Sequence, residues 1–387
     1  MNNIQYHEII PNNLQSSYTE FNNVDFELSF PNRKLNLGSI RIEGEIEVKY
    51  GGEFLNSTVQ KDPDSAGGEI NVKDIKLDGL AGMHSVIEQI TTTVNMPDKG
   101  KNVIENMTEY ARYAKMAVSA TAGVDDMNNS NHVCELKAPF DRFTNALLQG
   151  IIPAEQPAGG NQRLNPDFSL RPLFCLNSGA GSLAYSKSGD IQVSITLARV
   201  FALLFGNDVN SQVTYSIKDL KLRFTSSPDD GVDDTVVLKT KLNIKQSIQS
   251  SFANIQTRVP AICSAVTVSF QPQEEENTAT NNNLALAEVP NLTQTQFLFN
   301  DSTNTLVSYL IRSTTEVIDR AIDSMLDTGR NALSTQNLVN NNGFLAGIDF
   351  QNFIDLSNTK FSLQLRSGVN SSKPLIVYMY FHSVVEM

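Results

Sequence analysis

Residues able to do chemistry are few in this chain and lie far apart. His132 and Cys134, two positions apart, would project to one side of an extended segment and offer nitrogen and sulfur to a metal. Two ligands do not complete a tetrahedral site, so an unliganded pair is expected. Asp229-Asp230-Gly231-Val232-Asp233-Asp234 sets four carboxylates around a glycine, a grouping able to wrap a hard cation. It lacks the terminal bidentate glutamate of a calcium loop and reads as a solvated turn between strands. Gly179-Ala180-Gly181-Ser182 has glycines but not the lysine of a phosphate-cradling loop, and reads as a turn. Glu274-Glu275-Glu276 reads as a solvated face. Ser, His and Asp occur without a nucleophile elbow. No catalytic residue, cofactor or metal site is nominated, and the expectation is a protein that is not an enzyme.

The elements that would carry these residues are mostly strands. Ile191, Val193, Ile195 and Leu197 alternate with Gln192, Ser194 and Thr196, the period of a strand with one buried face. A second run, Val213, Tyr215, Ile217, then Leu220, Leu222 and Phe224, changes phase at Lys218-Asp219. A β-bulge or bend is predicted there, because a one-residue slip otherwise turns the apolar set outward. The two runs form a hairpin or are joined by a longer connection. Between them the apolar stretch Phe201–Phe205 reads as a short buried helix or as a tip packing on a neighbour, which makes Phe201, Leu204 and Phe205 candidate inter-subunit contacts.

Residues 1–20 are aperiodic and read as a disordered tail or an arm that orders on a partner, with Ile4, Tyr6, Ile9 and Ile10 as candidate docking side chains. Strand alternation follows at Phe26–Phe30 and at Ile40–Val48, and a helix is predicted from Val103, Met107, Tyr110 and Ala114. Phe140–Leu147 suggests a short helix, and residues 153–167 a long loop or a crossing between domains. Further strands are predicted at 236–244, 266–270, 297–299, 306–311 and 361–365, and Val317–Leu326 gives the broadest helical stripe. Gln271–Asn283 is expected to be exposed and mobile. The last run, Leu375–Phe381, is apolar on both faces, as a strand buried between a sheet and another layer would be. Many strands, few helices and no alternation of strand with helix favour an antiparallel sandwich.

With 387 residues the chain can build one large or two medium domains. Its formal charge of -12 argues against wrapping nucleic acid, and no sequence-specific nucleic-acid binding is expected. Three dispersed cysteines, Cys134, Cys175 and Cys263, suggest neither a disulfide framework nor a zinc knuckle. No run approaches the eighteen apolar residues of a membrane span.

In the runs Gly189–Leu197 and Val213–Phe224, in Thr257-Arg-Val-Pro-Ala-Ile-Cys263 and in the closing Tyr378-Met-Tyr-Phe-His382, the chain resembles penton proteins, the minor capsid proteins of virophages and polinton-like viruses related to the adenovirus penton base. The resemblance implies a mainly-β fold, a single jelly roll (an antiparallel β-sandwich) with an inserted, outward-facing mainly-β domain and a few short helices. The base would comprise residues 21–145 and 292–387, the insertion residues 146–291, and residues 1–20 an N-terminal arm. It further implies a homopentamer at the icosahedral vertex of a virion, made in the host cytoplasm. Its partners would be neighbouring major capsid proteins and a vertex spike or internal minor protein. The adenovirus relative's Arg-Gly-Asp is absent here. On this architecture Ile42 and Ile46 share a core with the inward face of 375–381, while 191–224 belongs to another core. The alternatives are a double jelly-roll major capsid protein forming trimers, a carbohydrate-binding sandwich, disfavoured by the absence of Trp, and a hydrolase.

Overall fold

The computed structural model describes residues 3–54, 60–61, 69–70, 75–97, 99–121, 135, 167–207, 209–232, 235–248, 252–258, 262–286, 292–300, 305–311, 314–325, 345–356, 360–367 and 374–387. His132, Cys134 and the 140–147 helix lie outside these residues.

Alternation becomes layering directly. In Ile191–Leu197 every second side chain is buried, and in Val213–Pro228 Val213, Tyr215, Ile217, Leu220, Leu222 and Phe224 all point inward. The inward set survives the phase change because register shifts between Lys218 and Lys221 against Arg41–Tyr50, with Asp219 at φ +49°. This is the predicted bulge. Gly44 lies under it: a Cβ there would sit 3.0 Å from the Lys218 carbonyl oxygen and 3.2 Å from the Phe168 ring. The two runs are not a hairpin; they lie in different sheets and face one another across a core.

One sheet runs in the order Asp167–Leu170, Arg41–Tyr50, Val213–Pro228, Arg33–Asn36, Ser182–Ala184, with Gln5–Ile9 added on Val213–Pro228 and Glu53–Phe54 on Arg41–Tyr50. A second, eight-stranded sheet runs Asn23–Leu28, Ile191–Leu197, Ile87–Met96, Gly100–Met107, Val237–Ile248, Leu375–Glu386, Ile262–Pro272, Leu345–Asp355. Its first four strands close a sandwich with the first sheet. Its last four close another with the sheet Phe252–Arg258, Lys360–Ser367, Leu292–Asn300, Thr305–Ile311. The first sandwich is built from strands before residue 229 and the second from strands after 236. They follow one another along the chain.

This corrects the expected architecture of a single jelly roll with an insertion. Ile42 and Ile46 share a cluster with Ile195 and Ile217, so 191–224 is not a separate core; of the closing strand, Ile376, Tyr378 and Tyr380 join that cluster, whereas Val377, Met379 and Phe381 belong to another with Val266, Phe297 and Phe361. Alternation reports that a strand has one buried face but not which face covers it. Strands close in sequence meet at lower loop-closure cost than chain ends do.

Three smaller expectations also change. Gln5–Ile9 is a strand paired with Ile9↔Leu222 through Gln5↔Ser226, not a loose arm. The Val103–Ala114 pattern divides into the strand Gly100–Met107 and the helix Tyr110–Thr121, separated at Glu109, whose φ is +54°. The segment after Pro272 is not a mobile loop throughout: Asn283, Leu284 and Leu286 are buried. The helix Thr314–Ser324 is as predicted, with Ala321, Ile322 and Met325 buried.

Candidate functional site: the seam between the two sandwiches

The sandwiches join where Gly100–Met107 meets Val237–Ile248 through a parallel bridge, Asn106 opposite Leu242. Every other paired strand of the shared sheet is antiparallel. A single bridge fixes little by itself; Ile376, Tyr378 and Tyr380 pack into the first sandwich's apolar cluster, and polar side chains add specific ties across the junction.

Glu105 lies beside the bridge and is buried. Its two carboxylate oxygens accept the Cys175 and Lys241 backbone N–H groups at 2.7 and 2.8 Å, one from each sandwich. Burial pushes its carboxyl above the ordinary glutamate range, and Lys241 and the two N–H bonds offset part of that rise.

Arg112, on the helix Tyr110–Thr121 of the first sandwich, is 1% exposed. Its guanidinium donates to the Ala285 carbonyl at 3.1 Å and to the Asn283 carbonyl and Gln271 Oε1, and it lies 4.1 Å from the centre of the Tyr378 ring. Gln271 and Tyr378 belong to strands of the second sandwich, and Asn283 and Ala285 to the segment that leaves its strand Ile262–Pro272. Tyr378 in turn donates to Gln271 Oε1 at 3.0 Å, and the Tyr380 hydroxyl donates to the Glu109 carbonyl at 2.8 Å. The planar five-donor guanidinium suits this task, since it can serve several fixed acceptors while stacking on a ring.

Asp78 supplies a second tie. It accepts from Lys115, from the Leu80 and Ala81 backbone N–H groups at 2.9 and 2.7 Å, and from Asn282 Nδ2 at 2.6 Å. Burial alone would raise its carboxyl, but Lys115, the Ala81 N–H and Asn282 outweigh it and hold Asp78 below the ordinary range. The neighbouring Asn283 donates Nδ2 to the Phe201 carbonyl. The polar run after Pro272 is therefore a latch laid against the first sandwich. At its outer margin Lys245 pairs with Glu109 at 2.8 Å and with Glu276. Burial works against the Lys245 charge, yet the two carboxylates hold its ammonium above the usual lysine range.

The connection between sandwiches carries the acidic loop. Lys34, buried, donates to Asp230 Oδ1 and to the Val232 carbonyl, and its ammonium is 3.9 Å from Asp229. An ammonium thus occupies two of the four carboxylates that a cation reading would use, Asp229 and Asp230; Asp233 and Asp234 lie outside the described residues. Val236 and Met387 exchange backbone hydrogen bonds at 3.1 and 2.8 Å, clamping the end of the connection to the end of the chain.

Of the residues nominated from sequence, Leu204 is buried in the first core, and Phe201 and Phe205 are half-buried in the helix Val200–Leu203 and the strand Leu204–Phe205. The latch lies over Phe201. Ile4, Tyr6 and Ile10 are exposed, while Ile9 is half-buried against the first core. Cys175 and Cys263 are buried free thiols. Among the described residues no group of three or more His, Cys, Asp or Glu side chains is placed to hold a metal ion. Sequence reading missed Arg112, Glu105, Asp78 and Asn283. One signal was available for the first: Arg112 and Lys115 share a face of a helix whose other residues are nearly all apolar.

No protein-family model and no curated protein matches the sequence. Solved structures do match the fold along the whole chain. The Faustovirus major capsid protein is 10% identical with a TM-score of 0.66, covering 100% of this chain and 90% of its own. The Sputnik virophage structure determined by cryo-EM matches at 9% identity and a TM-score of 0.60, covering 99% of this chain and 88% of its own. PBCV-1 VP54, fitted into a reconstruction of the virophage Sputnik, gives 9% identity and a TM-score of 0.58, covering 100% and 95%. At these identities the likeness is one of fold. It overturns the penton resemblance, and with it the homopentamer and the vertex position, because the whole chain follows the double jelly roll of virus-shell major capsid proteins.

Proposed function

We propose that this chain is a non-enzymatic major capsid protein, a virion component whose copies associate in threes as capsomers of an icosahedral shell. The observation that supports this reading best is the pair of consecutive sandwiches fused through one eight-stranded sheet. Three copies related by a threefold axis present six similar blocks, which gives a nearly hexagonal outline able to tile a surface. The seam serves that task. Its buried ties hold the two blocks at one relative orientation, and a capsomer edge is only as regular as that orientation. Native mass spectrometry of the purified chain tests the reading: trimers are expected, and a stable pentamer, or a monomer at capsid-like concentrations, sinks it.

A further inference from the structure

His7 lies on the inward face of the strand Gln5–Ile9, opposite Phe224 of Val213–Pro228, and its ring stacks on the Phe224 ring at 4.4 Å with 4° between the planes. Its Nε2 is 2.7 Å from the Ser226 hydroxyl, which is buried and accepts the Arg33 Nε–H at 2.6 Å. These contacts fix the order of protons. A guanidinium only donates, so the Ser226 oxygen is an acceptor toward Arg33 and its own hydrogen must go elsewhere. Among the described residues the acceptor for that hydrogen is His7 Nε2, which makes the docked imidazole neutral, with its proton on Nδ1. Arg33 also donates to the Ser226 carbonyl at 3.0 Å and to the Asn3 carbonyl at 2.7 Å, so its charge is held against the strand. A proton added at Nε2 strips the Ser226 hydroxyl of its acceptor and brings a second cation to the oxygen that already serves the guanidinium. Burial first, and then the Arg33 charge, hold the His7 pKa below the ordinary histidine range.

We propose that the strand Gln5–Ile9 is an acid-released strap, undocked from Val213–Pro228 by protonation of His7 while the chain beyond it stays in place. The anchors that follow the strand are main-chain bonds that no proton alters: the Asn12 N–H donates to the Asp25 carbonyl at 2.7 Å, and Tyr18 and Ile217 exchange backbone hydrogen bonds at 2.8 and 2.7 Å. The strand itself adds two ionisable ties to its ladder, His7 on the inward face and, on the outward face, Glu8, which pairs with Lys221 at 3.2 Å and Arg223 at 2.9 Å. They titrate apart. Lys221 and Arg223 hold Glu8 below the ordinary glutamate value of about 4.3, so it keeps its charge through the range in which a histidine, at about 6.5 when unperturbed, takes up its proton. Arg33 is the charge that faces His7. Lys221, Arg223 and Glu43 lie with Glu8 on the opposite side of the sheet, as does Lys34, which is engaged with Asp229 and Asp230. Asp25 and Glu27 turn outward from Asn23–Leu28, whose Val24, Phe26 and Leu28 are buried. Tyr185 and Asp190 come only beyond Phe30, which meets the Phe224 ring edge-on at 6.2 Å. Because the docked strand favours the neutral ring, docking is at full strength above about pH 6.5 and weakens as pH falls through that value toward the lower, docked one. Release takes Ile9 from the first core and bares the Leu222–Ser226 edge of Val213–Pro228, so that acid opens a sheet margin that is closed at neutrality. It is a property of one chain and does not depend on how copies associate.

The test is hydrogen exchange of the full chain read by mass spectrometry at about pH 7.5 and about pH 5.5, either side of the ordinary histidine value, with protection corrected for the intrinsic pH dependence of exchange. In the wild type the segment Tyr6–Ile9 should lose protection severalfold on acidification while Asn23–Leu28 keeps its own. His7→Gln, whose amide oxygen can accept the Ser226 hydroxyl at either pH, should lose none. Unchanged protection in the wild type overturns the proposal. So does a His7→Gln protein that loses protection as the wild type does, since the titrating group then lies elsewhere. If His7→Gln does not dock its strand even at about pH 7.5, the wild type still decides: the ring-proton NMR signal of His7, assigned by its absence from the variant's spectrum, should titrate below about pH 6.5 and in step with the loss of protection. Titration at or above that value overturns the strap.

Discussion

Ile376 and Val377 are consecutive residues of one strand, and they are buried in two different hydrophobic cores. The even-numbered face, Ile376, Tyr378 and Tyr380, packs into the cluster that contains the first sandwich and the helix Tyr110–Thr121. The odd-numbered face, Val377, Met379 and Phe381, packs into the second sandwich. The closing strand is thus a partition wall, and its sidedness yields a measurable consequence.

Ile42 and Ile195 line the same small void between the two sheets of the first sandwich. Truncating either to Ala should cost about 2 to 5 kcal/mol through lost transfer energy plus the cavity left behind. Their double-mutant cycle should show an interaction of roughly 0.5 kcal/mol or more, whereas Ile42→Ala and Val377→Ala should add within about 0.5 kcal/mol. Strong coupling of residue 42 to residue 377 in denaturant unfolding would contradict the two-core arrangement.

Arg112→Ala leaves three acceptors of the latch and the shared sheet without their donor. The expected loss is roughly 3 kcal/mol or more, at about 1 to 3 kcal/mol per buried unsatisfied group. Calorimetry should show the wild type's cooperative transition split in two as the sandwiches uncouple. Arg112→Lys should recover only part of the loss, since an ammonium cannot reproduce the forked geometry.

Asp78 and Glu105 should impose opposite pH dependences. Asp78 is held below its ordinary range, so its contribution is present above the unfolded pKa of about 4 and is lost as pH falls through the folded value. Glu105 is held above its range. Its folded state takes up the proton first, so the stabilisation is present below the unfolded pKa and declines as pH rises through the folded value. Asp78→Asn should flatten the acid limb of a stability–pH curve while costing about 3 to 5 kcal/mol near neutrality, because Lys115 is then buried without its carboxylate. An unchanged acid limb in Asp78→Asn would remove Asp78 from this role.

At the bulge, Gly44→Ala should destabilise by about 1 to 3 kcal/mol, because the new methyl meets the Lys218 carbonyl oxygen at 3.0 Å and the Ile217 Cγ2 at 3.3 Å. Gly52→Ala is a control without a steric clash, since nothing lies within 4 Å of its added Cβ, although its φ of +85° carries a conformational cost. Urea unfolding of both variants separates crowding from backbone strain.

The amino-acid sequence by itself determined several strands and their inward faces, though not Gln5–Ile9, Ile87–Met96 or Gly100–Met107. Ile191–Leu197 alternates without interruption, the phase slip at Lys218-Asp219 announces the bulge, and the two-sided apolarity of Leu375–Phe381 announces a strand covered on both faces. These features are local: side-chain period is set by backbone geometry within a few residues. Only the tertiary structure decided which strands share a core, and so whether the chain is one sandwich with an insertion or two in succession. An apolar face specifies that it must be covered, but many distant faces satisfy that demand equally in one dimension. It also decided the meaning of Arg112 and Asn283, which read as solvated polar residues until their partners are in place. The buried Arg112 guanidinium is tolerated only through hydrogen bonds whose other halves lie more than a hundred and fifty residues away, and no local pattern names those partners.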